Sequence, residues 1–158
     1  MKLGTKRQQK WALLCVFGWF WLPVTAVGTP APAPSQKTCP SKVYSRADAA
    51  LVRARRDWLS LYHHRQAYPA CDDGALAEGY SDAVARLIAR RWDRIDEFSR
   101  LAERHPAFGR WVIRHIDESA AQDDLARIVR NSANCRQGAP PRKLCAAMQQ
   151  AARRALSQ

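Results

Sequence analysis

From Cys39 onward, apolar residues recur three and four positions apart with charged residues between them, the spacing of amphipathic helices. The first such segment runs from an N-cap at Ser45 to about Tyr68, where Pro69 stops it. Projected as one helix, Leu51, Ala54, Trp58, Leu61 and Tyr62 share a face, opposite Arg53, Arg56, Asp57, Ser60 and His64. Asp72 and Asp73 ahead of Gly74 form an N-cap pair for a second helix with the stripe Leu76, Tyr80, Val84, Leu87 and Ile88, continued by Arg91. Ala85 and Ala89 line its other side with Glu78 and Asp82, which predicts a central helix covered on both sides. Gly79 inside it costs about 1 kcal/mol relative to Ala, so close helix approach is expected there.

A third helix, near Asp93 to Arg104, carries Ile95, Phe98, Leu101 and Ala102. His105-Pro106 breaks the chain and places Pro at the first position of a fourth helix, with Phe108, Trp111, Val112, His115 and Ile116 on one side. Ser119 and Gln122 resemble a capping box for a fifth helix, which carries Leu125, Ile128 and Val129 and ends near Asn134. After a loop at 136–141, a sixth carries Leu144, Met148, Ala151 and Ala155. The pattern predicts an all-α, compact bundle of five to six helices whose core includes Trp58, Trp111 and Trp92. Seven Gly and the lack of a β-branched run argue against an all-β design.

Residues 1–28 read as a secretory signal peptide. Lys2 to Lys10 are cationic, Trp11 to Leu22 form an apolar run, and Ala26-Val27-Gly28 offers small residues for cleavage. The run is shorter than the roughly 20 residues of a membrane span, so no stable span is expected after cleavage; an uncleaved anchor is the alternative. Residues 29–38 form a Pro/Ala-rich linker, and 39–158 the helical domain. The localisation implied is periplasmic or secreted.

Removing the leader removes Cys15 and leaves Cys39, Cys71, Cys135 and Cys145. An even number in an exported chain implies two disulfides with three possible pairings. Cys39–Cys71 and Cys135–Cys145 are favoured because each pair brackets one short stretch. No CxxC spacing is present, which argues against zinc, and no cofactor is expected.

The 158 residues hold 26 Lys and Arg against 14 Asp and Glu; without the four cations of the leader the balance is still +8. At 47% apolar and 25% charged, the chain is neither a disordered tail nor a polytopic membrane protein. The arginines are scattered among acidic neighbours and read mostly as solvated helix faces, although a binder of anionic surfaces or polyanions is an alternative. Export disfavours nucleic acid as a partner.

The richest chemistry lies in Cys71-Asp-Asp-Gly-Ala-Leu-Ala-Glu-Gly-Tyr-Ser-Asp82. Its carboxylates Asp72, Asp73, Glu78 and Asp82 suit a cation site or a patch gripping basic groups. They equally suit structure: Asp72 and Asp73 as caps, Asp82 paired with Arg86, Glu78 with an Arg of a neighbouring helix. Sugar hydrolysis needs carboxylates flanking a cleft, hence a second one from elsewhere, such as Asp117 or Glu118. His115, on an apolar stripe, is a binding candidate but reads more readily as a satisfied core residue, and His63-His64 as solvated surface. No Ser/His/Asp or Cys/His arrangement can be argued. Arg91, on a core stripe, requires a carboxylate, with Asp72, Asp73 and Asp117 as candidates.

The strings CDDGALAEGYSD (71–82) and RHIDESAAQDDLARI (114–128) resemble a group of exported bacterial all-α proteins with two disulfides and no settled function, over about 39–150. In size, export and disulfide-clipped helices alone, the chain is also similar to the periplasmic immunity proteins that block type VI secretion amidase effectors. That second likeness implies a role and assigns no contact residue. The expectation is an exported, non-enzymatic protein whose partner is another protein, of inhibitor or immunity type. The alternatives are a ligand- or cation-binding module or hydrolase using the carboxylates of 72–82, and the anionic-surface binder.

Overall fold

The computed structural model describes residues 38–135 and 140–158. The leader, the linker up to residue 37 and residues 136–139 of the expected loop lie outside the described residues.

The first expected helix is two. α1 spans Ser41–Ala54, and α2 spans Trp58–Ala67. Between them Asp57 is extended (φ −155°, ψ 164°), and its carboxylate accepts the Ser60 amide at 2.8 Å and the Ser60 hydroxyl at 2.9 Å. Such a cap contributes about 1 kcal/mol, enough to restart a helix at this point. Ser45, expected as a cap, lies inside α1 and donates to the Ser41 carbonyl. The break resets the helical phase. His64 is therefore buried rather than solvated, while its neighbour His63 stays exposed.

α3 (Gly74–Arg90) follows, then a 3₁₀ turn at Trp92–Arg94 leading into α4 (Ile95–Arg104). α5 is Pro106–Arg114, α6 Gln122–Ala133 and α7 Arg142–Ala155. The described residues thus form an all-α fold of seven helices, where the pattern suggested five or six. The fifth does not start on a capping box: Ala121 is the N-cap of α6, and the Ser119 amide instead donates to Asp117.

α3 is the central helix, packed between α1 and α6. Leu76, Tyr80, Val84 and Ile88 are fully buried, and so on other sides are Ala83, Ala85 and Ala89. A line of aromatic rings joins four helices. Trp58 stacks on Phe98 at 4.6 Å, Phe98 meets Phe108 edge-on at 6.3 Å, Phe108 stacks on Trp111 at 5.6 Å, and Trp111 meets Tyr80 edge-on at 5.0 Å. Each pair contributes roughly 0.5–1.5 kcal/mol beyond its burial. Trp92 is only half-buried at the edge of this core.

Both disulfides pair as the spacing suggested. Cys39–Cys71 ties the chain ahead of α1 to the approach of α3, and Cys135–Cys145 clips α6 to α7. Closing loops of 32 and 10 residues restrains the unfolded chain by at most about 4 and about 3 kcal/mol.

Arg91 departs from expectation. α3 ends at Arg90, so the stripe stops one residue short; Arg91 is exposed and lies 3.9 Å from Asp93, not against Asp72, Asp73 or Asp117. Arg90 takes the role instead, with two parallel 2.9 Å bonds to the buried carboxylate of Asp124 on α6. Asn131 reinforces that contact by donating to the last carbonyls of α3 at Ile88 and Ala89. None of the described helices is long and apolar enough to cross a membrane.

Two glycines mark the closest helix approaches, and they are expected to respond differently to a methyl group. A Cβ on Gly79 meets the end of the Leu51 side chain at 2.8 Å, whereas one on Gly109 meets Ala102 Cβ at 2.9 Å and its backbone Cα at 3.4 Å. Leu51 can turn, but the α4 backbone cannot. Gly109→Ala should therefore destabilise by about 1–2 kcal/mol net of its helix propensity gain, and Gly79→Ala by less than about 1. Paired chemical denaturation curves check the order.

Candidate functional site

The packing of α5 on α3 gathers polar side chains that lie far apart in sequence. Trp111 on α5 donates its indole N–H to Asp72 Oδ2 at 2.8 Å. His115, which follows the last residue of α5, brings Nε2 to 3.0 Å from Asp72 Oδ1, a close contact that lies off the axis of a ring N–H. On its other side Nδ1 is 3.0 Å from Ser81 Oγ, and the Ser81 hydroxyl donates to Asp117 Oδ2 at 2.7 Å. Because that hydroxyl has one hydrogen and gives it to Asp117, its oxygen is left to accept from His115 Nδ1–H.

Burial alone pushes the Asp72 carboxyl up. The adjacent His115 ring, the Trp111 N–H and the Arg65 charge outweigh it, and together hold Asp72 below the usual carboxylate range. Burial, with the Asp72 charge nearby, pushes the Tyr80 phenol well above its ordinary value, so it stays protonated. Its hydroxyl lies 3.0 Å from His64 Nδ1, and His64 Nε2 lies 2.8 Å from the Ala47 carbonyl. A neutral ring satisfies both partners, and burial does favour it: His64 is held below the ordinary histidine value, only partly offset by the Ala47 bond.

Ser81, His115 and Asp72 are thus brought together although no such set was argued from the sequence. The arrangement is not that of a nucleophile. Ser81 is 1% exposed and gives its proton to a carboxylate rather than to the imidazole, and neither it nor His115 lines any cleft described below. The set serves to fix Trp111.

The remaining sequence candidates disperse. Asp73 occupies the N-cap position of α3 but makes no side-chain cap, because the Tyr44 hydroxyl of α1 accepts the Leu76 amide in its place. Asp72, the other expected cap, is committed to Trp111 and His115. Asp82 does pair with Arg86 at 2.7 Å and lies 4.0 Å from Arg55. Glu78 is exposed, and no ion pair to a neighbouring helix is found for it among the described residues. Nor do any three His, Cys, Asp or Glu side chains among those residues gather as metal ligands.

Two concave surfaces meet at α5. A cleft of 330 Å³ between the end of α2 and α5 is lined by Arg65, Gln66, Pro69, Ala107, Phe108, Arg110, Trp111 and Arg114. The Arg65 guanidinium sits over the Trp111 ring, 5.9 Å from its centroid. On the far side of α5 a groove of 900 Å³ runs between α4–α5 and α7. Its walls are largely apolar, from Ala102, Pro106, Ile113, Pro141, Leu144 and Ala147; its charged residues are Arg110, Arg114, Lys143 and one carboxylate, Glu103. Arg110 and Arg114 line both. The sequence signal for this surface was weak: two arginines four apart read as a solvated face, and only the topology sets Arg65 beside them.

No protein-family model matches the chain, and no curated protein or solved structure matches it significantly.

Two acid-linked losses of stability are expected. Since His64 is held below 6.5 in the fold, the unfolded chain binds more protons between 6.5 and the folded value. Stability should therefore fall as pH drops through that window and level off below it. Melting temperatures from pH 8 to 5 check this, and His64→Gln should flatten the slope as well as lowering the plateau. Asp72, held below 3.8, contributes stability that is present above that value and lost as pH falls through its folded one. Asp72→Asn, which keeps an acceptor for Trp111, should remove this lower limb.

Proposed function

We propose that this protein is a non-enzymatic binding protein of an oxidising, extracytoplasmic compartment, and that it acts by gripping another protein as an inhibitor or immunity-type factor. The observation that carries the reading is the 900 Å³ groove between α4–α5 and α7, apolar along its walls and bordered by Arg110, Arg114 and Lys143. Apolar surface of this kind gains free energy when a partner covers it, and flanking cations select the partner and its register. Two disulfides on a small helical domain are consistent with an oxidising compartment and keep the surface rigid, which lowers the ordering cost of association. The leader read at 1–28 supports the same setting.

A hydrolase built on the carboxylates of 72–82 has less support. Asp72 is consumed by Trp111 and His115, Asp82 by Arg86, and Asp73 and Glu78 face solvent apart from them.

The tagged chain on a resin should retain one stoichiometric protein from an envelope extract of the producing cell. Leu144→Glu and Ala147→Glu, checked to melt like the wild type, should weaken that retention by about tenfold or more, equivalent to ~1.4 kcal/mol. A partner held equally by the wild type and both variants, or no stoichiometric partner at all, overturns the reading.

A further inference from the structure

Arg65, Arg110 and Arg114 bring three guanidinium groups to one small cleft, and none has a carboxylate within ion-pair distance among the described residues. Other arginines also lack such a partner; what distinguishes these three is that they line one cleft. Arg110 and Arg114 are four apart on α5, so their repulsion weakens the helix unless an anion lies between them. Arg65 spends its ring face on the Trp111 indole, a contact that leaves its edge N–H groups free, and Gln66 adds an amide donor beside it. The indole itself cannot swing away, because Asp72 holds its N–H from behind. The cleft, of 330 Å³, thus sets these donors around an indole that is itself held in place.

We infer that this cleft receives a carboxylate side chain of the bound protein, so that the segment recognised is both acidic and apolar. The inference rests on the binding-protein reading and adds the chemistry of the partner. A guanidinium fork matches a carboxylate with two parallel bonds. Continuity decides the source of the anion. Arg110 and Arg114 form the ridge between the cleft and the apolar groove, so one chain crossing α5 sets its Leu-like side chains on Ile113, Leu144 and Ala147 and its Asp or Glu on the far side. A free phosphate has nothing to place in the groove.

The test uses the peptide acetyl-Leu-Glu-Leu-Leu-Glu amide, its counterpart with Gln for Glu, and inorganic phosphate, each titrated at constant ionic strength into the oxidised protein. The readouts are the Trp111 Nε1–H and the Arg65, Arg110 and Arg114 Nε–H signals in ¹H–¹⁵N correlation spectra. The acidic peptide is expected to move all four saturably and to bind at least about fivefold more tightly than the Gln peptide. Arg65→Gln and Arg110→Gln, confirmed folded by melting, should remove that difference. Equal binding of the two peptides, stronger binding of phosphate, the absence of saturation, or a preference that survives both Arg variants overturns the inference. The groove reading fails separately: Ala147→Glu then leaves partner retention unchanged, whatever the arginine signals do.

Discussion

A buried indole N–H is costly without an acceptor; Trp111 finds one in Asp72, whereas the equally buried Trp58 has none among the described residues. Much of the arrangement follows from that bond. Asp72 stands at the approach of the central helix, next to a cysteine that is bonded back to Cys39, so the acceptor is anchored independently of α5. Once Trp111 is seated, α5 has one orientation: Phe108 and Val112 enter the core, and Arg110 and Arg114 border the open surfaces. His115 and Ser81 extend the same polar chain to Asp117 and place the turn after α5. Both buried histidines have partners: His115 meets Ser81, and His64 lies between Tyr80 and the Ala47 carbonyl.

Much of the fold was legible in the chain. Cores of α3 to α7, the break at His105-Pro106, the close approach at Gly79 and both cysteine pairs follow from spacing and local chemistry. Errors arose where one residue changes the phase or the end of a helix. Asp57 starts a new helix within an apolar stripe that a continuous helix also explains, so the burial of His64 was not visible. A helix end one residue earlier moves the paired arginine from Arg91 to Arg90 and takes it to Asp124, which lies in the first turn of α6. Tyr44 displaced Asp73 as a cap because the Cys39–Cys71 link brings α1 up to the start of α3, a contact across 32 positions.

Less of the candidate site was legible, for a physical reason. Patterning reports what is buried, and a binding surface is what the fold leaves uncovered. Asp72 and His115 were singled out, yet they act behind the surface rather than on it. Arg65, Arg110 and Arg114 carry no distinguishing spacing, since any helix exposes such residues to water. Only the packing of α2 alongside α5 turns them into a cluster.

The hairpin of α6 and α7 carries a wall of the groove as well as part of the core. Pro141, Leu144 and Ala147 line that wall, and the neighbouring Cys145 fastens it to Cys135. Until those thiols are oxidised, the register of α7 rests on side-chain packing and on the bond from the Gln149 amide to the Val129 carbonyl. The groove wall is thus fastened by an oxidation step, and a reducing environment would leave that fastening unmade.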